Sequence, residues 1–301
     1  MLGSTPAPLV QGDPVSHRHA RALIGWLSEA EAVAALLGRG PTPTDDLSEL
    51  KTIFSACREG VNQRPQFEAH DPVMDTGDES RVSAVASSPE VQSAFTGMDW
   101  SVCIVDLSLV QSFQKIVVVD DMNERIEGIN DSLDTLLPLC IPDGATAPPA
   151  GAFTDLDGKG FTVSALNPNL RVAGGQLAEA QVSPAPGMPA VRMQAITFLI
   201  NMGASYLQVV RYQGRSFVRD GYHRAAALIR HGITAAPCIF IEAKSFEQVG
   251  CPPGSLPYEI LFGDRPPMLS DFWDDLVSKE VTQLAVRKVV RVRAEEFVVP
   301  R

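Results

Sequence analysis

Apolar positions change their period several times along the 301-residue chain, and the changes mark its elements. From His17 the run HRHARALIGWLSEAEAVAALLG sets Leu23, Trp26, Leu27, Ala30, Val33, Ala34 and Leu37 at helical spacing and stops at Gly38, which predicts a helix. Thr44 stands as an N-cap ahead of DDLSELKTIFSACREG, and the two segments together predict an N-terminal helical hairpin. Residues 60–88 are polar and aperiodic and read as a connector, after which SPEVQSAF offers a short helix. The character then changes. WSVCIVDLSLV and FQKIVVVDD are rich in β-branched residues between polar turns, which predicts strands, while ERIEGINDSLDTLLPL returns to a helical period. Residues 141–160 are dense in Pro and Gly and read as an exposed loop or domain boundary; FTVSAL restarts as a strand.

In the C-terminal half, VRMQAITFLINMG reads as a helix closed by Gly203. YLQVVRY and RSFVRD read as strands joined at Gln213-Gly214, YHRAAALIRHG as a helix and APCIFIEA as a strand. LSDFWDDLV follows as a short helix and AVRKVVRVRAEEFVV as a late strand. The fold class this predicts is α+β: a mixed sheet flanked by helices from about Trp100 onward, with an N-terminal helical extension. The corresponding segments are a tail over 1–16, a helical extension and connector over 17–98, an α/β segment over 99–160, a core over 161–243 and a C-terminal extension over 244–301.

Composition narrows the function classes. With 36 acidic against 25 basic side chains and a formal charge of -11, most of the surface repels a phosphate backbone, which argues against nucleic acid as a partner. No apolar run approaches the roughly 18 residues of a membrane span, and the N-terminus lacks the basic and apolar regions of a signal peptide, so a cytoplasmic protein with no membrane partner is expected. The five cysteines are scattered and never form a CxxC pair, which argues against disulfides and zinc and fits a reducing compartment.

The stretch SFVRDGYHRAAALIRHGI, residues 216–233, carries the candidate chemistry. A helix start has backbone N–H groups without intrahelical partners and a partial positive charge, so it favours an anion. Gly221 lets a backbone or ligand approach closely, and Tyr222, His223 and Arg224 open the helix. A guanidinium there can grip two phosphate oxygens and an imidazole can donate one more bond. Cations at a helix N-terminus are misplaced unless an anion joins them, which points to a phosphate ligand. The plainer alternative pairs Asp220 with Arg224 across the turn and leaves His223 solvated. Asp220 either ligates magnesium or orients His223, or else it is a strand-end turn residue capping the helix.

Three further groups have plainer explanations beside the functional ones. Arg287, Arg291 and Arg293 share one face of a predicted strand, as an addition to a phosphate pocket or as a charged, solvated edge. Asp120, Asp121 and Glu124 follow a strand, as a magnesium or base position or as a polar helix start. His17 and His19 are assigned no site, and Cys238 reads as a small hydrophobe on a buried strand.

From about Val191 to Ala243, INMGASYLQVVRYQGRSFVRDGYHRAAALIRHGITAAPCIFIEA resembles the ParB/sulfiredoxin superfamily. There a helix ending in Gly leads to a hairpin, a Gly-x-His-Arg or Gly-Glu-Arg-Arg box at a helix start, and a strand. FTVSALNPNLRV looks like the strand and Asn-Pro loop that precede this core in the ParB branch. The resemblance implies that Gly221, Tyr222, His223 and Arg224 cradle the phosphates of ATP, ADP or CTP with magnesium. Sulfiredoxins carry a catalytic cysteine where this chain has Tyr222, which argues against sulfinic-acid reduction. ParB proper has two arginines after Gly-Glu and a downstream helix-turn-helix domain, and neither is evident here. The form DGYHR is nearest to the box of free-serine kinases.

Two function classes follow from this reading. One is a nucleotide-dependent phosphotransferase or NTPase acting on a small molecule, with Asp220 and His223 as candidate catalytic groups. The other is a non-catalytic nucleotide-sensing module whose N-terminal helices contact a protein partner, or a ParB-like DNA-associated regulator.

Overall fold

The structure is a computed structural model. It describes residues 17–74, 79–120, 126, 128–142, 152–155, 160–165, 170–182, 188–201, 205–285, 288–295 and 298. In chain order the elements are β1 (His17–Ala22), α1 (Glu29–Leu37), α2 (Ser48–Asn62), β2 (Val73–Met74), α3 (Glu79–Ala86), α4 (Pro89–Ala94), β3 (Trp100–Asp106), β4 (Ile116–Val118), α5 (Leu133–Cys140), β5 (Ala152–Asp155), β6 (Gly160–Ala165), β7 (Arg171–Val182), β8 (Val191–Asn201), β9 (Gln208–Tyr212), β10 (Arg215–Asp220), α6 (Tyr222–Arg230), β11 (Ala235–Glu242), α7 (Phe246–Val249), α8 (Tyr258–Leu261), β12 (Lys279–Leu284) and β13 (Lys288–Arg293). This is an α+β protein.

The chain divides into two compact units, one of Met1–Pro142 with Tyr206–Ala285 and one of Asp143–Ser205 with Val286–Arg301. The stretch 161–243, read from sequence as a single core, is therefore divided at Tyr206.

The first unit is built on a five-stranded mixed sheet in the order β10-β9-β11-β3-β2 and a three-stranded sheet in the order β12-β1-β4. β9 and β10 pair antiparallel across Gln213-Gly214, whose φ angles of 51° and 72° form the left-handed two-residue turn that suits the twist of a hairpin. α6 then carries the chain over to β11, which runs parallel to β9 and antiparallel to β3. β11 is buried from Ala236 to Ile241. Pro237 is tolerated there because β9 pairs with β11 only from Ile239 onward. The buried stripe of α6, Ala225 to Leu228, lies in the same core, and its small side chains permit close approach. Trp273 donates its indole N–H to Ala226 O at 3.0 Å from the 3-10 helix Leu269–Trp273, where the sequence predicted a short helix.

Two helix expectations are corrected. The helix expected from His17 is a strand as far as Ala22 and a 3-10 turn over Ile24–Trp26, and the α-helix begins only after Ser28. Tertiary pairing overrides the helical spacing: β1 lies between β12 and β4, and buried Arg21 donates to Phe272 O at 2.7 Å and to Ser278 Oγ at 2.8 Å. Ser28 and Glu31 form a reciprocal capping box that fixes the start of α1. The helix expected over VRMQAITFLINMG is β8, paired antiparallel with β7 along its whole length. An apolar run of this length fits either period, and the facing strand decides it.

The second unit holds the sheet β13-β6-β5 and the two-stranded ribbon β7-β8. The late strand expected after Ala285 appears as β13, preceded by β12 in the first unit.

Candidate functional site

The chain passes from β10 into α6 through Gly221, the N-cap of that helix, at φ 81° and ψ 19°. That left-handed conformation disfavours a side chain, and an added Cβ would stand 3.1 Å from Leu207 Cα and 3.2 Å from its Cδ1. Glycine is thus required here by its own conformation and by the packing of Leu207. Asp220 turns Oδ1 onto the Gly221 N–H at 2.7 Å. Tyr222 and His223 follow in the first turn with ring centroids 4.6 Å apart, both partly buried. Burial, with the charge of Asp220 adding to it, pushes the Tyr222 hydroxyl above its ordinary value. The first turn of α6 contains no acidic residue.

Arg224 reaches back from the first turn of α6 to the end of α5. Only 5% of it is exposed, and its Nη1 donates to Leu139 O at 2.7 Å and to Cys140 O at 3.1 Å. These are the last carbonyls of α5, which have no intrahelical donors and carry the negative end of the helix dipole. Cys140 O also accepts from Leu207 N at 2.7 Å. The end of α5, Leu207, Gly221 and Arg224 therefore form one packed joint that fixes the start of α6, and Nη1 is committed to it.

Asp120 Oδ2 accepts from the backbone N–H of His19 at 2.9 Å, joining the end of β4 to β1; Asp121 and Glu124 lie outside the described residues. His17 and His19 are strand residues of β1. Arg291 and Arg293 lie on β13, an edge strand paired with β6, where Arg293 has Glu295 at 3.8 Å; Arg287 lies outside the described residues. Cys238 is buried opposite Cys103 in the β11–β3 register. Among the described residues no three His, Cys, Asp or Glu side chains gather as a metal site, and no helix is long and apolar enough to cross a membrane.

Sequence reasoning passed over one groove, of about 400 Å³, lined by residues that include Phe67, His70, Leu109, Arg265 and Met268. Arg64, at its wall, is already paired with Asp271 at 2.7 Å and Asp274 at 2.6 Å and lies over the Trp26 ring. Burial pushes the Asp271 carboxyl up to about 6 against the opposing pull of Arg64. Part of the groove, residues 64–70, falls in the stretch read as a polar connector.

Compared with known protein families, with curated proteins and with solved structures, the chain matches none.

Proposed function

We propose that the chain binds a nucleotide through its phosphates at the N-terminus of α6, with backbone N–H groups of the first turn and the His223 side chain as donors. The observation that carries this reading is the left-handed Gly221 turn, which delivers His223 into a first turn free of acidic residues. The nucleotide class, ATP, ADP or CTP, comes from the resemblance of DGYHR to the ParB/sulfiredoxin box. In this reading Arg224 is a positioning residue, its Nη1 holding the end of α5. Asp220 precedes the turn, where one carboxylate together with phosphate oxygens is a usual set for magnesium. Magnesium there would neutralise phosphate charge. Phosphoryl transfer to a small molecule is the catalytic form of the same site, and it needs a carboxylate within about 3 Å of the acceptor hydroxyl.

A calorimetric screen of ATP, ADP, CTP and GTP, with and without magnesium, tests the proposal. Saturable binding of at least one nucleotide, weakened about tenfold by His223→Ala, is the expected result. Binding that is unchanged in His223→Ala would move the ligand elsewhere, and no saturation by any of the four at millimolar concentration would end the nucleotide reading. Release of inorganic phosphate in the same samples separates an NTPase from a binding module.

A further inference from the structure

Strands β3 and β11 pair antiparallel without a break from Trp100 to Asp106, and in that register Cys103 stands directly opposite Cys238. Both thiols therefore lie on one face of the sheet. At one end of the ladder Leu107 N donates to Thr234 O at 2.8 Å and at the other Glu242 N donates to Asp99 O at 2.9 Å, and Cys238 lies four residues from each. The two cysteines thus hold a hydrogen-bonded position, which sets their Cα atoms about 5.5 Å apart, within the roughly 4.4–6.8 Å that a disulfide spans. The pair is not symmetric. Cys238 is fully buried, whereas 7% of Cys103 is exposed, an opening that admits only a small reagent. The Cys238 S–H donates to the Cys103 sulfur, and this bond pulls the Cys103 thiol below its ordinary value against the effect of burial. Burial pushes Cys238 well up. It raises Cys57 as well, and Cys140 to about 12.

We infer that Cys103 and Cys238 are a peroxide-sensitive thiol pair that closes reversibly to a disulfide between β3 and β11. Cys103 supplies the nucleophile, because it is both the thiolate-prone and the reachable member. Its thiolate attacks one oxygen of hydrogen peroxide, the O–O bond breaks, the sulfur becomes a sulfenic acid, and the departing hydroxide takes up the proton that Cys103 lost. Cys238 then resolves it. The Cys238 sulfur displaces the sulfenic hydroxyl, an S–S bond forms, and that hydroxyl leaves as water with the Cys238 proton. Two thiols are oxidised by two electrons in all, and one peroxide is reduced to two waters. The bond closes a loop of about 135 residues that contains Asp143–Ser205 whole, so it removes much freedom from the unfolded chain. Oxidation therefore stabilises the first unit.

The test exposes the reduced, folded full chain to a modest excess of hydrogen peroxide, stops the reaction with catalase, and alkylates the remaining thiols in denaturant for counting and peptide mapping by mass spectrometry. The expected result is a fall from five free thiols to three, with Cys103 linked to Cys238. Dithiothreitol should restore all five, and the linked chain should melt several degrees above the reduced one. In Cys238→Ala the reaction should stop at the Cys103 sulfenic acid, which dimedone traps. Should that variant fail to fold, the peptide map of the unaltered chain decides alone. Five thiols surviving peroxide, a linkage between any other pair, or a linkage that forms only in urea overturns the inference. A linked chain that melts no higher than the reduced one, or a folded Cys238→Ala chain without the dimedone adduct, overturns it as well.

Discussion

Replacing Arg224 by Met keeps most of the apolar stem and removes the guanidinium, so it isolates what that group does. Two outcomes are distinguishable. In the structure Nη1 holds Leu139 O and Cys140 O, and its loss leaves two helix-terminal carbonyls without that donor in a place nearly closed to water. A hydrogen bond to a charged group is worth about 1.5–3 kcal/mol. Both bonds come from one nitrogen and Cys140 O keeps Leu207 N, so they do not add fully, while loss of the charge opposite the α5 dipole contributes a further ~0.5 kcal/mol. The sum is about 3 kcal/mol. For a unit of roughly 220 residues this lowers the melting temperature by about 10 °C. Scanning calorimetry and urea unfolding followed by circular dichroism measure it, with nucleotide affinity taken well below the transition. The expected pattern is a large loss of stability with affinity changed less than about threefold, since in this reading Arg224 acts on the ligand through the position of the helix start. A melting temperature within about 1 °C of the parent together with abolished nucleotide binding would refute the reasoning and return Arg224 to the phosphate.

Gly221→Ala is expected to cost more than about 1 kcal/mol, because the left-handed backbone disfavours a side chain and the new Cβ meets Leu207 Cα; an unchanged urea midpoint would contradict this. Asp271 is 2% exposed and its carboxyl is raised from 3.8 to about 6, so the folded chain holds that proton more tightly than the unfolded one. The resulting stabilisation is fully present below about pH 4 and is lost as the pH rises through 6, a change on the order of 3 kcal/mol that Asp271→Asn should remove from the pH–stability curve. Ser28→Ala opens the capping box of α1 and should cost about 1 kcal/mol by denaturant titration. Random duplex DNA should bind no tighter than roughly 10 μM at physiological salt, with or without CTP and magnesium; sub-micromolar binding that weakens steeply with salt would instead favour a ParB-like regulator.

The hairpin at Gln213-Gly214, α6 and β11 were legible because each signal is local: a two-residue turn, a helix opened after glycine and an alanine stripe, and a β-branched run. β1 and β8 were misread because their apolar positions suit two periods, and only pairing with β12, β4 and β7 separates the two. The box was found at a helix start, yet the role of Arg224 was not readable. Its Nη1 bonds backbone carbonyls about 85 residues upstream, and a carbonyl leaves no trace in the sequence of side chains. The groove at Phe67 was missed for a similar reason, since it joins residues 64–70 to Arg265 and Met268.

Hydrogen exchange at the amides of Tyr222, His223 and Arg224, with ADP and magnesium added, tests the central claim most directly because it reports on the donors themselves. The account predicts protection at these amides, reached in His223→Ala only at about tenfold higher ADP. Nucleotide-dependent protection confined to residues 64–70, with the start of α6 unchanged, would contradict it.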